Sequence, residues 1–261
     1  MAGAPRRSKG LRCAFRRPPS GRAPAALTLP EAVGYSHWCM DVSNEQVRTA
    51  LLSLVGFVLS VTVHEFGHAL VADRLGDALP RAQGRVSLSP LRHIDPLGTI
   101  VIPLLAVFMS GVPFIAWGKP VQTSPANMTT RLPRTTASLL VSLAGPFMNL
   151  VLAVVVSILL IAAAKAGLVG QSLAGTVIRF VVVLNISLMF FNLLPIPPLD
   201  GASILEVILP PRFHGVLHAM RRWGMVALMI LFATGVGGFL MVPAQRLALM
   251  WARFLMGFVP Q

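Results

Sequence analysis

Residues 50–75 read ALLSLVGFVLSVTVHEFGHALVADRL. The first half is almost wholly apolar, and the second carries His64, Glu65 and His68. On a helix, positions i and i+4 share a face, so the two histidines point the same way. Glu65 lies about 100° around the axis from His64. Two histidines so placed suit one metal ion, and a glutamate so offset reaches a water on that ion without being a ligand. The pattern is short, but its setting gives it weight, because ionisable side chains in a membrane span are costly and mark functional sites. The plainer alternative is that the histidines hydrogen-bond between helices while Glu65 is paired or protonated. Gly67 allows close approach of a second helix, as small residues do in membranes.

The remainder of the chain fits a membrane setting. It is 55% hydrophobic and only 12% charged, against about a quarter charged in a soluble domain. The runs 137–164, 180–199 and 223–242 contain no charged residue, and a helix crosses a bilayer with about 20 apolar residues. The net charge of +13 does not point to nucleic acid. Arg6, Arg7, Lys9, Arg12, Arg16, Arg17 and Arg22 crowd the amino terminus, and the other basic residues sit mainly in loops, where they act as topology markers. Cys13 and Cys39 lack zinc-ligand spacing.

These features predict an all-α polytopic membrane protein with about five to six transmembrane helices. Residues 1–43 form a basic, acid-poor tail with no visible chemistry. Residues 44–210 form the core, and residues 211–261 form carboxy-terminal transmembrane or interfacial helices. The first span runs from Glu45 to Arg74, capped by Ser43 or Asn44 and stopped by Gly76. The segment GDALPRAQGRVSLSPLRHIDP reads as a loop with a short strand or hairpin, because RVSLS alternates. Such a strand would suit pairing with an extended peptide. The second apolar run, 97–117, is interrupted by Pro103, Gly111 and Pro113, so it is kinked or partly re-entrant. Spans at 137–164, 176–194 and 223–242 follow, and LALMWARFLMGFVP is short enough to lie at the interface. In this count both sides carry several Lys or Arg, and charge does not set the orientation.

A catalytic zinc normally has three protein ligands plus water, so a third ligand should come from another apolar segment. Asp200, in FNLLPIPPLDGA, ends an apolar run broken by Pro195, Pro197 and Pro198. Irregular backbone at membrane depth is tolerated where it lines a cavity or is buried in protein, and a carboxylate oxygen is a good zinc ligand. Alone, LDG would read as a helix cap; with the histidine pair upstream it reads as the missing ligand.

Together HEFGH and NLLPIPPLDG resemble the site-2 protease family of intramembrane zinc metalloproteases, whose pattern is Asn-x-x-Pro-x-x-x-Leu-Asp-Gly. GRVSLSPLRHIDPLGT, WGKPV and LAGPFMN resemble its compact bacterial branch without PDZ or CBS domains, over residues 45–210. The resemblance implies that His64, His68 and Asp200 bind one zinc and that Glu65 activates the water. It implies that Asn192 orients substrate or steadies the oxyanion. The partners it implies are the bilayer and a membrane-protein substrate cut within a transmembrane helix, in the bacterial inner membrane. Two other classes use the same residues: a zinc transporter, and an inactive homologue that binds helices without cutting them.

Three further groups carry polar chemistry. Asn149 in LAGPFMN is read as hydrogen-bonding a neighbouring helix. His93 and Asp95 in RHIDP read as a local turn, with a second metal site as the alternative. His214 and His218 in HGVLH lack an adjacent glutamate and read as an interfacial face.

Overall fold

The computed structural model describes residues 44–103, 105 and 116–259. The basic tail, both cysteines, Ser43, Gly111 and Pro113 lie outside the described residues.

Helix α1, Asn44–Arg74, is the predicted first span. Its apolar stretch, Leu51–Arg74, has 24 residues and covers roughly 36 Å at about 1.5 Å per residue, enough for a hydrocarbon core of about 30 Å. The helix stops where expected. Gly76 has φ +97°, and the amides of Leu75, Gly76 and Asp77 close back onto Val71, Asp73 and Ala72, the left-handed glycine termination of a helix.

The polar segment that follows contains a single turn, α2 (Leu79–Ala82), a 3₁₀ turn at Pro90–Arg92 and a π-helical turn at Pro96–Val101. The expected strand at RVSLS does not form, and no strand occurs among the described residues. Its backbone donors are used locally. Arg85 N–H bonds Pro80 O, Ser87 N–H bonds Arg85 O, and Ser89 N–H bonds Ser87 Oγ at 3.1 Å. Serine competes with a strand ladder in just this way.

The two described ends of the second apolar run are hydrogen-bonded to each other. Trp117 N–H bonds Gly98 O at 3.2 Å, and Thr99 Oγ donates to Trp117 O at 2.7 Å. Gly98 and Trp117 therefore lie at one level. Residues 104 and 106–115 between these ends lie outside the described residues. After the return, Lys119 N–H bonds His93 O at 2.9 Å, and Gly118 lies so close to Val61 of α1 that a Cβ would overlap it. The side chains of Arg81, Arg85, Arg92, Lys119 and Arg131 thus belong to one connection, from the end of α1 to the next span. This is more one-sided than a second crossing would allow, and such asymmetry is what orients membrane helices.

Helices α3 (Arg134–Lys165) and α4 (Gln171–Leu193) are the next spans. Leu140, Phe147, Val155, Ile158 and Leu159 of α3 are exposed, as suits a lipid-facing surface. Helix contacts are made by small residues instead, as in membrane bundles generally. Gly67 of α1 meets Ala144 O and Met148 Cγ of α3, each 2.7 Å from where a Cβ would stand. A short helix, α5 (Ala202–Ile208), follows the proline-rich turn.

The expected span at 223–242 is instead broken. Helix α6 (His214–Ala233) ends at Thr234, Gly235 takes φ +81°, and α7 (Val236–Met256) follows, with a bend of 80°. Hydropathy alone hides this, since both sides of the break are apolar. The stretch LALMWARFLM is part of α7, whose Ala248 and Ala252 pack with Ala153, Ile178, Val182 and Ile186 in one core. The described residues thus hold three helices long and apolar enough to span, or four if α6 and α7 form one broken span; five to six are not found among them.

Candidate metal centre

The centre is assembled from three elements. Helix α1 supplies His64 and His68, both buried, with rings edge to face and centroids 4.7 Å apart. The turn before α5 supplies Asp200. This turn is tied to the end of α4 by Gly201 N–H bonding Asn192 O at 2.6 Å and to α3 by Ser142 Oγ and Ser203 Oγ at 2.7 Å.

Asp200 Oδ2 lies 3.2 Å from His64 Nε2 and 3.3 Å from His68 Nε2, and the two Nε2 atoms are 3.0 Å apart. Ligands on tetrahedral bonds of about 2.1 Å stand about 3.4 Å apart, so this triangle is close to one face of a zinc tetrahedron. The chemistry of the donors agrees. His68 Nδ1 lies 2.7 Å from Val141 O, and a carbonyl only accepts, so Nδ1 carries the hydrogen and a neutral His68 offers Nε2 as a lone pair. Asp200 Oδ2 is buried without a hydrogen-bond donor. Lone pairs crowded together out of water need a cation among them. These three are the group of His, Cys, Asp or Glu placed to hold a metal among the described residues.

Glu65 stands outside the triangle. Its Oε2 accepts the Val121 N–H at 2.9 Å, from the segment that returns past Val61. Val61 and Glu65 are one helical turn apart, so residues 118–121 run along α1 and pin the carboxylate beside the metal group.

The third wall is helix α3, at intervals of four residues. Val141 O takes the His68 Nδ1 hydrogen. At Gly145 a Cβ would fall inside His68 Nε2 and stand 2.7 Å from His64 Cε1, so only glycine lets the two rings lie against the helix. Asn149, fully buried, has its amide 3.2 Å from His64 Nδ1. Pro146 gives no N–H, which loosens the helix at this point. Of the α3 contacts, that of Val141 is the one not foreseen from sequence. The signal was the four-residue spacing of Val141, Gly145 and Asn149, a helix face that only the register against α1 makes meaningful.

This chain matches the family model "Peptidase family M50" over residues 52–176 and 160–234. The chain belongs to this family, the site-2 proteases. It is 34% identical over 194 residues to "Putative zinc metalloprotease YwhC" of Bacillus subtilis, covering 73% of this chain and 84% of that protein. It is also 34% identical over 189 residues to "Putative zinc metalloprotease Rip2" of Mycolicibacterium smegmatis, covering 72% and 69%. No solved structure matches the chain significantly. The M50 match takes in HEFGH, LAGPFMN and PPLDG, the three stretches that the fold brings to one place.

The other sequence candidates make local hydrogen bonds. The Asn192 amide is turned to its own helix, donating to Leu188 O at 3.0 Å; its backbone carbonyl is what holds the Asp200 turn. Asp95 caps the π-helical turn through the amides of Leu97 and Gly98, and His93 donates Nε2–H to Ser87 O at 2.8 Å. Burial pushes the His93 imidazole below its ordinary pKa, which keeps it neutral in that bond. Both are parts of a turn.

Proposed function

We propose that this M50 member, a zinc metalloprotease, hydrolyses peptide bonds inside transmembrane segments of other membrane proteins. The observation that carries the reading is depth. His64 and His68 lie ten and six residues before Arg74 on a spanning helix, roughly 15 Å and 9 Å along its axis. A hydrolytic group built there serves a bond that also lies below the membrane surface. The protein sits in a bacterial inner membrane, acts on helices within the bilayer, and has no call on nucleic acid.

His64, His68 and Asp200 would hold one zinc per chain. A zinc held there would supply a water with its pKa lowered towards about 7 and a Lewis acid for a carbonyl. Glu65 would accept the proton of the attacking water and return it to the leaving amine. The Val121 amide occupies Oε2, fixing the carboxylate's direction and leaving Oε1 for the proton. The substrate must unwind first, because a helix hides its carbonyls in its own hydrogen bonds. A transport site would have no use for a carboxylate pinned beside its ligands, and that favours hydrolysis over zinc transport.

The test is co-reconstitution of the full chain in liposomes with single-span substrates. Cleavage should be abolished by a chelator and restored by zinc, with no zinc flux across the vesicle. Zinc flux without cleavage would support the transporter and refute this reading.

A further inference from the structure

The Asn149 amide and His64 meet with the wrong atoms facing. Nδ2 of Asn149 is 3.2 Å from Nδ1 of His64, while Asn149 Oδ1 is buried and has no hydrogen-bond partner. Nδ2 only donates, so this arrangement requires His64 Nδ1 to be a bare lone pair and moves the ring hydrogen to Nε2. Nε2, however, is the atom that faces His68 Nε2 at 3.0 Å and Asp200 Oδ2 at 3.2 Å. The oxygen and nitrogen of an amide are assigned from their hydrogen bonds and have nearly the same shape. Turning the amide over presents Oδ1 to His64 Nδ1–H. It also places Nδ2 where Oδ1 finds no donor.

We infer that Asn149 is a positioning residue that accepts the Nδ1 hydrogen of His64 through Oδ1 and so turns Nε2 to the metal. Val141 O does the same for His68, one carbonyl and one amide oxygen set two helical turns apart on α3. Metal-bound histidines generally hand their other ring hydrogen to an oxygen acceptor, which fixes tautomer and orientation. Here both acceptors come from one helix, so the register of α3 against α1 determines which nitrogens are free. The inference rests on His64 being a metal ligand.

Two measurements on the full chain in detergent test it. The first is zinc affinity by competition with a chromophoric chelator. Asparagine and aspartate both accept; aspartate cannot donate. Asn149→Asp should bind zinc within about threefold of wild type, while Asn149→Ala should bind it about 10–100-fold more weakly. Wild-type affinity in Asn149→Ala, or equal weakening in both variants, would overturn the inference. The second is long-range ¹H–¹⁵N correlation of the His64 ring in metal-free wild type, assigned by its loss in His64→Gln. The hydrogen should be on Nδ1; finding it on Nε2 would overturn the inference. Because this readout needs no metal, it decides the role of Asn149 even if wild type proves to bind no zinc, a result that would sink the zinc reading separately.

Discussion

Glu65→Gln is expected to slow peptide hydrolysis about 10²–10⁴-fold, the usual contribution of a general base, while the chain keeps its zinc. The two halves of this result have separate physical origins. The metal group is closed by His64, His68 and Asp200, whose facing atoms are 3.0–3.3 Å apart, and Glu65 is not among them. Glutamine has the same shape and still offers an oxygen to the Val121 N–H, which Glu65 receives at 2.9 Å, so the segment 118–121 stays in place. What glutamine lacks is a site for the proton of the attacking water. Metal analysis of the purified variant beside its cleavage rate separates the two effects. Equal cleavage by wild type and variant would refute Glu65 as the base, and loss of zinc would show that Glu65 helps to hold the metal.

Gly145→Ala is expected to lower activity about 10²-fold or more through misplaced ligands, together with zinc retention. A Cβ at this position meets Nε2 and Cε1 of His68 and Cε1 of His64. These atoms belong to rings already held by Val141 O and Asn149, so either the rings leave the metal position or α3 moves away from α1. Helix propensity predicts the opposite sign, since alanine is better than glycine in a helix interior by roughly 0.5–1 kcal/mol. A glycine that mattered only to α3 would give a variant with higher thermal stability and unchanged zinc. Gly238 of α7, where a Cβ meets nothing within 4 Å, provides the control: alanine there should leave zinc and activity unchanged.

The parts of this molecule that sequence discloses are those whose meaning is local. HEFGH places two rings on one face by helical spacing alone, and charge in an apolar run marks it as costly. Asp200 is legible because three prolines and a glycine interrupt an apolar run around one acid. The stop at Gly76 follows from chain chemistry within a few residues. The failures share one cause, which is that composition has no direction. Residues 97–117 have the apolarity of a span, yet Gly98 and Trp117 are hydrogen-bonded neighbours, a fact about where the chain returns. The run 223–242 has the length of a span, yet turns by 80° at Gly235; the glycines at 235, 237 and 238 were the available signal. RVSLS alternates like a strand, but Ser87 satisfies Ser89 and no second strand lies beside it among the described residues. The role of α3 was hidden for a related reason. The Val141 carbonyl gains meaning only when two helices are in register.

The proposed cut lies within the membrane, opposite His64 and His68. Its most direct test is mass-spectrometric mapping of the scissile bond in a single-span substrate co-reconstituted with the zinc-loaded chain. One chelator-sensitive cut is expected inside the apolar segment, roughly 9–15 Å from one end, the depth of the two histidines below Arg74. Cuts confined to the polar flanks of the substrate, with the apolar segment left whole, would contradict it.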